Sequence, residues 1–209
     1  VPRKPTAAPA EPESAESKSA RTRARLLDAT AKVLADKGFS GTRLSDIAEA
    51  AHVQAPAIYY YYPSREDLIE AVLHAGVQAM HQHLTETLAA LPEKTSPSAR
   101  LSAAVEAHLR HELEISDYTR AVVRNLNQVP EPFNRRALKT LGEYNEIWRD
   151  LVMDLADAGL LRADVDPSVG RMLVLGALNW SVEWWDSDRG SLDELIAVAQ
   201  SMVLHALRP

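Results

Sequence analysis

His108, His111 and Glu112 are the first residues in this chain whose types and spacing could do chemistry. Steps of three and four would bring them to one helix face, where two imidazoles and a carboxylate could hold a metal ion. The same spacing describes core or solvated histidines. That plainer reading is preferred, so no metal and no cofactor is assigned. His81 and His83 are two apart and do not share a helix face. Cysteine is absent, which excludes disulfides, thiolate metal sites, iron–sulfur clusters and a cysteine nucleophile. There is no Gly-rich phosphate loop and no defensible catalytic set, so the chain is not expected to be an enzyme.

A second group of residues suits binding. Trp180 and Trp184 are four apart and share a helix face, as do Tyr144 and Trp148. Together with Asn179, Arg124 and Asn127 they would form a mostly apolar pocket with a few polar groups. For any single tryptophan, packing in a core or a dimer interface is the alternative.

These residues need elements to position them, and the periodicity is helical almost throughout. The chain has 209 residues, 46% hydrophobic and 25% charged, which is enough for a packed core. No apolar run approaches the roughly 20 residues that span a bilayer. Residues 1–17 are rich in Pro, Ala, Glu and Ser. They read as a disordered tail and not as a signal peptide, in keeping with a cytoplasmic protein. Helices are expected at about 19–37, 43–51, 56–62, 65–91, 98–114, 117–128, 131–158, 168–186 and 192 onward. Gly38 and Gly159 should stop two of them, Thr42 should cap the second, and Ser191 with Glu194 should form a capping box.

The net charge of −6 argues against a nucleic-acid partner until its distribution is considered. Residues 18–66 hold eight basic and five acidic side chains, whereas residues 67–209 hold 13 and 21. A small basic segment is thus joined to an acidic body, which suggests an anionic partner for the basic part. Within that part, Leu44, Ile47, Ala48, Ala51, Val53 and Ile58 have the core spacing of two short helices joined by a tight turn. Ala48 allows a close crossing, and Val53 and Ile58 would fill the angle. This is a helix-turn-helix pattern, whose second helix can enter a major groove.

The run from Gly41 to Leu68, above all Ile58-Tyr59-Tyr60-Tyr61-Tyr62-Pro63-Ser64-Arg65-Glu66, resembles the DNA-binding signature of TetR-type transcriptional regulators. His52 stands where that family usually has Gly, at a position favouring positive φ, and Tyr61 and Tyr62 stand where it often has His or Phe. The resemblance implies roles. Gln54, Ala55, Pro56 and Ala57 would face base edges, with Gln pairing to adenine and the apolar side chains meeting thymine methyls. Tyr59, Tyr60 and Tyr61 would reach phosphates or bases, while Tyr62 packs inward. Thr42, Arg43 and Ser45 would lie against the backbone or a base. Arg65 would bind phosphate, with Arg21, Arg23 and Arg25 adding contacts.

One such head reads only a few base pairs, so a symmetric homodimer on a palindromic operator is expected. The fold class is all-α, with a tail at 1–17, a helix-turn-helix DNA-binding domain at 18–66 and a helical ligand-binding and dimerisation domain at 67–209. The resemblance implies a repressor released by a small apolar or amphipathic effector. The Trp pair after an Asp-x-Asp-Pro turn is similar to the branch that senses acyl-CoA thioesters. Two alternatives stay open: a ligand-independent DNA-binding activator, and a small-molecule binding protein with a vestigial DNA-binding head.

Overall fold

The structure, a computed structural model, describes residues 15–114 and 117–209, with side chains from residue 18 onward. The expected tail lies outside the described residues except for its last three, which already belong to the first helix. All regular structure among the described residues is helical: α1 Ala15–Gly41, α2 Leu44–Ala50, α3 Ala55–Ile58, α4 Arg65–Ala89, α5 Pro97–Glu114, α6 Asp117–Asn125, α7 Arg135–Asp157, α8 Pro167–Asn179, α9 Ser181–Trp184 and α10 Leu192–Leu207, with a 3-10 turn at Ser187–Arg189. None of them is long and apolar enough to cross a membrane.

Several local signals act as their chemistry dictates. Ser64 caps α4 by accepting from the Asp67 amide. Ser191 and Glu194 form the reciprocal capping box of α10. Gly159, at φ 68°, ends α7 in the left-handed region. Three boundaries differ from expectation. Gly38, at φ 70°, kinks α1 instead of ending it, because one more turn follows to Gly41. Thr42 does not cap α2: its hydroxyl donates back to the Gly38 carbonyl at 2.7 Å, and Arg43 occupies the cap position without a side-chain bond. The expected helix over 168–186 is divided at Trp180. There the ladder tightens to a Glu183 N–H bond with the Trp180 carbonyl at 3.1 Å.

Two cores form. Leu26, Ala29, Val33, Ile47, Ala48, Ala51, Ile58, Tyr62 and Leu68 make the small one, joining α1, α2, α3 and the start of α4. Ala31, Leu34 and Ala35 point from the other side of α1 into the large one, which runs through α4, α5, α6, α7, α8 and α10. Helices α1 and α4 therefore serve both cores, so head and body share two continuous rods. At Gly76 of α4, an added Cβ would lie 2.7 Å from Val122 Cγ2 and 3.2 Å from the Tyr118 carbonyl. Only glycine lets α6 approach α4 so closely.

Helix α6 also grips α1. Asn125, fully buried, donates from Nδ2 to the Leu34 carbonyl at 3.2 Å and accepts the Phe39 amide on Oδ1 at 2.8 Å. Tyr118 adds a 2.9 Å bond from its hydroxyl to Asp28. Fixing both sides of the Gly38 kink from α6 makes that helix the main polar link from body to head.

Candidate functional site

In the head, the turn between α2 and α3 closes through the Val53 amide, which donates to the Ala48 carbonyl at 2.9 Å. This needs His52 at φ 54°, a conformation that His tolerates better than most side chains. Ile47 and Ile58 are fully buried behind the turn and fix the angle between the helices. Pro56 sits in the first turn of α3, where a missing N–H is harmless. Regular helix ends at Ile58. The Tyr61 and Tyr62 amides continue the curl by donating to the Ile58 carbonyl, both at 2.9 Å.

This geometry turns Gln54, Pro56, Ala57, Tyr59 and Tyr60 outward together, with Tyr60 82% exposed. Arg43 and Ser45, at the start of α2, are exposed as well. Ala55 and Tyr61 are partly buried, and the Tyr61 ring meets the Tyr60 ring edge-on at 5.0 Å. Tyr62 is buried under the Arg23 guanidinium, 5.4 Å from its ring centre, and burial raises its phenol's pKa. The surface is thus a convex ridge of hydroxyls, an amide and small apolar groups, flanked by cations. Such a ridge can enter a groove and meet both base edges and phosphates.

The body holds a partly open cavity of about 170 Å³ between α4, α5, α6, α7 and α8. Most of its wall is apolar, with Met80, Val122, Val123, Leu126, Leu141 and Leu175. His108, Glu112 and Tyr144 are its buried polar residues, and the less buried Asn127, Asn145 and Asn179 complete the lining. Tyr144 and His108 Nδ1 share a 2.7 Å hydrogen bond. Trp148, fully buried, meets the His108 ring edge-on at 5.8 Å and holds that ring from behind.

The electrostatics of this end follow from burial. Desolvation lowers the His108 imidazole to about 4, with His111 nearby lowering it further and Asn179 acting the other way. His111 is also held at about 4 by burial and by the stacked His83 ring. Burial pushes the Glu112 carboxyl up to about 8. Its Oε2 is buried and accepts no hydrogen bond within the protein. Burial thus disfavours charge on all three groups at this end of the cavity, which is rich in hydrogen-bonding atoms.

Residues 26–72 match the pattern of bacterial regulatory proteins of the tetR family, and residues 94–208 match the tetracyclin repressor-like C-terminal domain. This chain belongs to the TetR family. Among its relatives, the fatty acid metabolism regulator protein of Bacillus subtilis (strain 168) is 22% identical over 181 residues, covering 86% of this chain and 90% of that one. The transcriptional repressor KstR2 of Rhodococcus jostii (strain RHA1) is 24% identical over 168 residues, 78% of this chain and 79% of that one. The transcriptional activator FasR of Mycolicibacterium smegmatis is 30% identical over 173 residues, 80% of this chain and 74% of that one. The solved structure of AibR in complex with isovaleryl coenzyme A and operator DNA superposes with a TM-score of 0.77 at 21% identity, covering 87% of this chain and 96% of that one.

Within this TetR-family frame, two head residues are placed differently from their expected roles. Thr42 is 1% exposed, with its hydroxyl already bonded to Gly38. Arg65 donates from Nη1 to the carbonyls of Phe39 at 3.0 Å and Thr42 at 2.9 Å, pairs with Glu66, and lies 4.7 Å over the Phe39 ring. It clasps the joint of α1, α2 and α4 instead of facing a phosphate.

Of the seven expected pocket residues, Asn127, Tyr144 and Asn179 line the cavity. Trp148 supports it from behind. Arg124 does not line it: the guanidinium is partly exposed, 3.7 Å from Glu183 and 3.3 Å from the Ala35 carbonyl. Trp180 and Trp184 face outward, 65% and 42% exposed. His108 and Glu112 were not expected in the pocket. Their signal was there to read, since they continue the buried Leu101, Val105 stripe of α5 at helical spacing. Among the described residues no group of three or more His, Asp or Glu is arranged to hold a metal. His108 turns to Tyr144, and His111 turns to His83.

Proposed function

We propose that this TetR-family regulator is a homodimeric repressor that binds a palindromic operator and is released by a small apolar or amphipathic effector seated in the α5–α8 cavity. Residues 18–66 would form the DNA-binding unit and 67–209 the effector-binding and dimerisation unit. The observation that carries the reading is the double contact of α6. Val122, Val123 and Leu126 face the cavity. Asn125 holds the Gly38 kink of the head. An occupant that binds one α6 position more tightly than another shifts the head with it, and only by that difference in affinity.

Dimerisation is supported by the outer face of α8 and α10. Val169, Met172, Leu173, Val198 and Met202 are all exposed there, beyond what an isolated soluble body needs to show. A second copy related by a two-fold axis would cover this face as a four-helix bundle. An acyl-CoA thioester is the effector class supported by the named ligand of AibR. A cavity of this size would take the acyl end and leave the nucleotide outside.

The test is fluorescence anisotropy of a labelled duplex from the DNA flanking the protein's own gene, with and without a panel of acyl-CoA thioesters. Specific, salt-dependent binding released by one thioester is the expected result. Binding that no thioester releases removes the acyl-CoA assignment. Affinity no higher than for a random duplex removes that operator assignment.

A further inference from the structure

We propose that Glu112 makes this cavity selective for a compact neutral ligand bearing a carbonyl oxygen, against the corresponding free acid or amine. The inference rests on the effector-responsive reading of the cavity and adds the chemistry that would choose the effector.

The first support is the unmatched carboxyl. Glu112 is 5% exposed, lines the cavity, and has no protein partner for Oε2. A buried polar atom left unpaired destabilises a fold, so a ligand that pairs it is favoured. The second support is the company it keeps. Among the described residues that line the cavity there is no Lys or Arg. An anionic carboxylate entering here would lose its water and meet no cation, beside a group that can itself become an anion.

The third support is donor chemistry. A carboxyl that keeps its proton is a strong O–H donor. His108 Nε2, buried and likewise without a protein partner, lines the same cavity and is a second hydrogen-bonding group for an occupant. Tyr144 of α7 is engaged with His108 Nδ1, and His83 of α4 stacks on His111. Asn127 and Asn179 are exposed residues of the lining, and Asn179 reaches His108. A carbonyl oxygen is the complementary acceptor, and an ester, thioester, ketone or amide supplies one without charge. Sites built around a specific hydrogen bond discriminate far more sharply than apolar walls do. Size adds the last restriction. The cavity of about 170 Å³ is close to the ~150 Å³ apolar cavity that holds benzene.

Benzamide, benzoate and benzylamine share one ring and differ in charge, so they serve as probes. Isothermal titration of each into the full chain at pH 7 should show benzamide binding at least tenfold tighter than the other two. Glu112→Gln keeps a neutral donor and should hold benzamide affinity within about threefold, while Glu112→Leu should lose tenfold or more. In the wild type, independently of how the variants fold, infrared difference spectra should show a protonated carboxyl band that shifts when benzamide binds. Benzylamine binding tightest, and lost in Glu112→Gln, would overturn the proposal in favour of a cation site. Equal binding of benzoate and benzamide, or no binding of any probe, would also overturn it. Operator release measured on the same protein separates the two levels. A duplex released by a thioester while benzoate equals benzamide sinks only the Glu112 assignment. A duplex that no ligand releases, with benzamide still preferred, sinks only the effector reading.

Discussion

The head and the body place their polar residues in opposite ways. The head packs a mainly apolar core around Ile47 and Ile58, with the buried Thr30 and Thr42 hydroxyls returned to helix carbonyls, and sends Arg43, Gln54, Tyr59 and Tyr60 into solvent. The body leaves Val169, Met172 and Met202 in solvent and buries His108, Glu112 and Tyr144 around a cavity. The head is shaped to meet a charged polymer from outside, and the body to surround a small molecule. Stability and recognition are therefore separable in the head and entangled in the body.

The sharpest way to break that contrast is a pair of truncations. Trp148→Ala removes a fully buried ring beside the cavity and should destabilise the chain by about 3–5 kcal/mol. Tyr60→Ala, at an exposed position, should change stability by no more than about 0.5 kcal/mol while weakening operator binding. Chemical denaturation and anisotropy on the same two variants check both. Equal stability losses would erase the distinction.

The two arginines of the head give a finer comparison. Arg65→Ala should lower stability by about 1.5–3 kcal/mol by breaking charged hydrogen bonds to two carbonyls, and leave the salt dependence of operator binding unchanged. Arg43→Ala should do the reverse, with near-native stability and a salt slope smaller by about one phosphate contact.

The buried cluster also predicts a pH profile. His108 and His111 sit at about 4 in the fold, below their ordinary value. Between about pH 4 and the usual imidazole range near 6.5, the unfolded chain binds more protons, so their effect is to lower stability as pH falls. Glu112 sits at about 8, above the ordinary carboxylate range. Its contribution is complete below the unfolded value and is lost as pH rises through 8. Thermal melts should therefore show a maximum between about pH 6 and 7 from these three groups. Glu112→Gln should flatten the alkaline side and steepen the acid side, because its opposing slope begins at the unfolded carboxylate value.

The smallest effect concerns the turn of the head. His52→Gly should relieve the left-handed backbone and, against the added freedom of the unfolded chain, stabilise by about 0.5–1 kcal/mol or less. Differential scanning calorimetry would register it as a rise of a few degrees at most.

Local chemistry was legible in the sequence. The left-handed position of His52 was legible through the family resemblance, while the capping box of Ser191 and Glu194 and the stop at Gly159 depend on neighbours within a few residues. The convex head was legible for the same reason, since Ile47, Ala48, Ala51 and Ile58 face inward while Gln54, Pro56 and Ala57 face outward. Arg65 was not, because its partners at Phe39 and Thr42 come from 26 and 23 positions away. Trp180 and Trp184, expected at the pocket, stand outside this cavity for another reason. An apolar helix face that points outward has the same periodicity as one that lines a pocket. His108 and Glu112 stood on an apolar stripe, and whether such residues fill a core or surround a void depends on five helices meeting.

The clasp made by Arg65 has a metrical consequence for the proposed dimer. One guanidinium ties the end of α1, the entry to α2 and the start of α4 into a single piece, so each head is a rigid stylus. Two rigid styli joined at a fixed separation act as callipers. They gauge how far apart two half-sites lie and how they are turned about the duplex axis. Inserting one base pair at the operator centre moves one half-site by about 3.4 Å and rotates it by roughly a tenth of a turn. The spacer, which touches no side chain, would then be as much a part of the message as the bases that do.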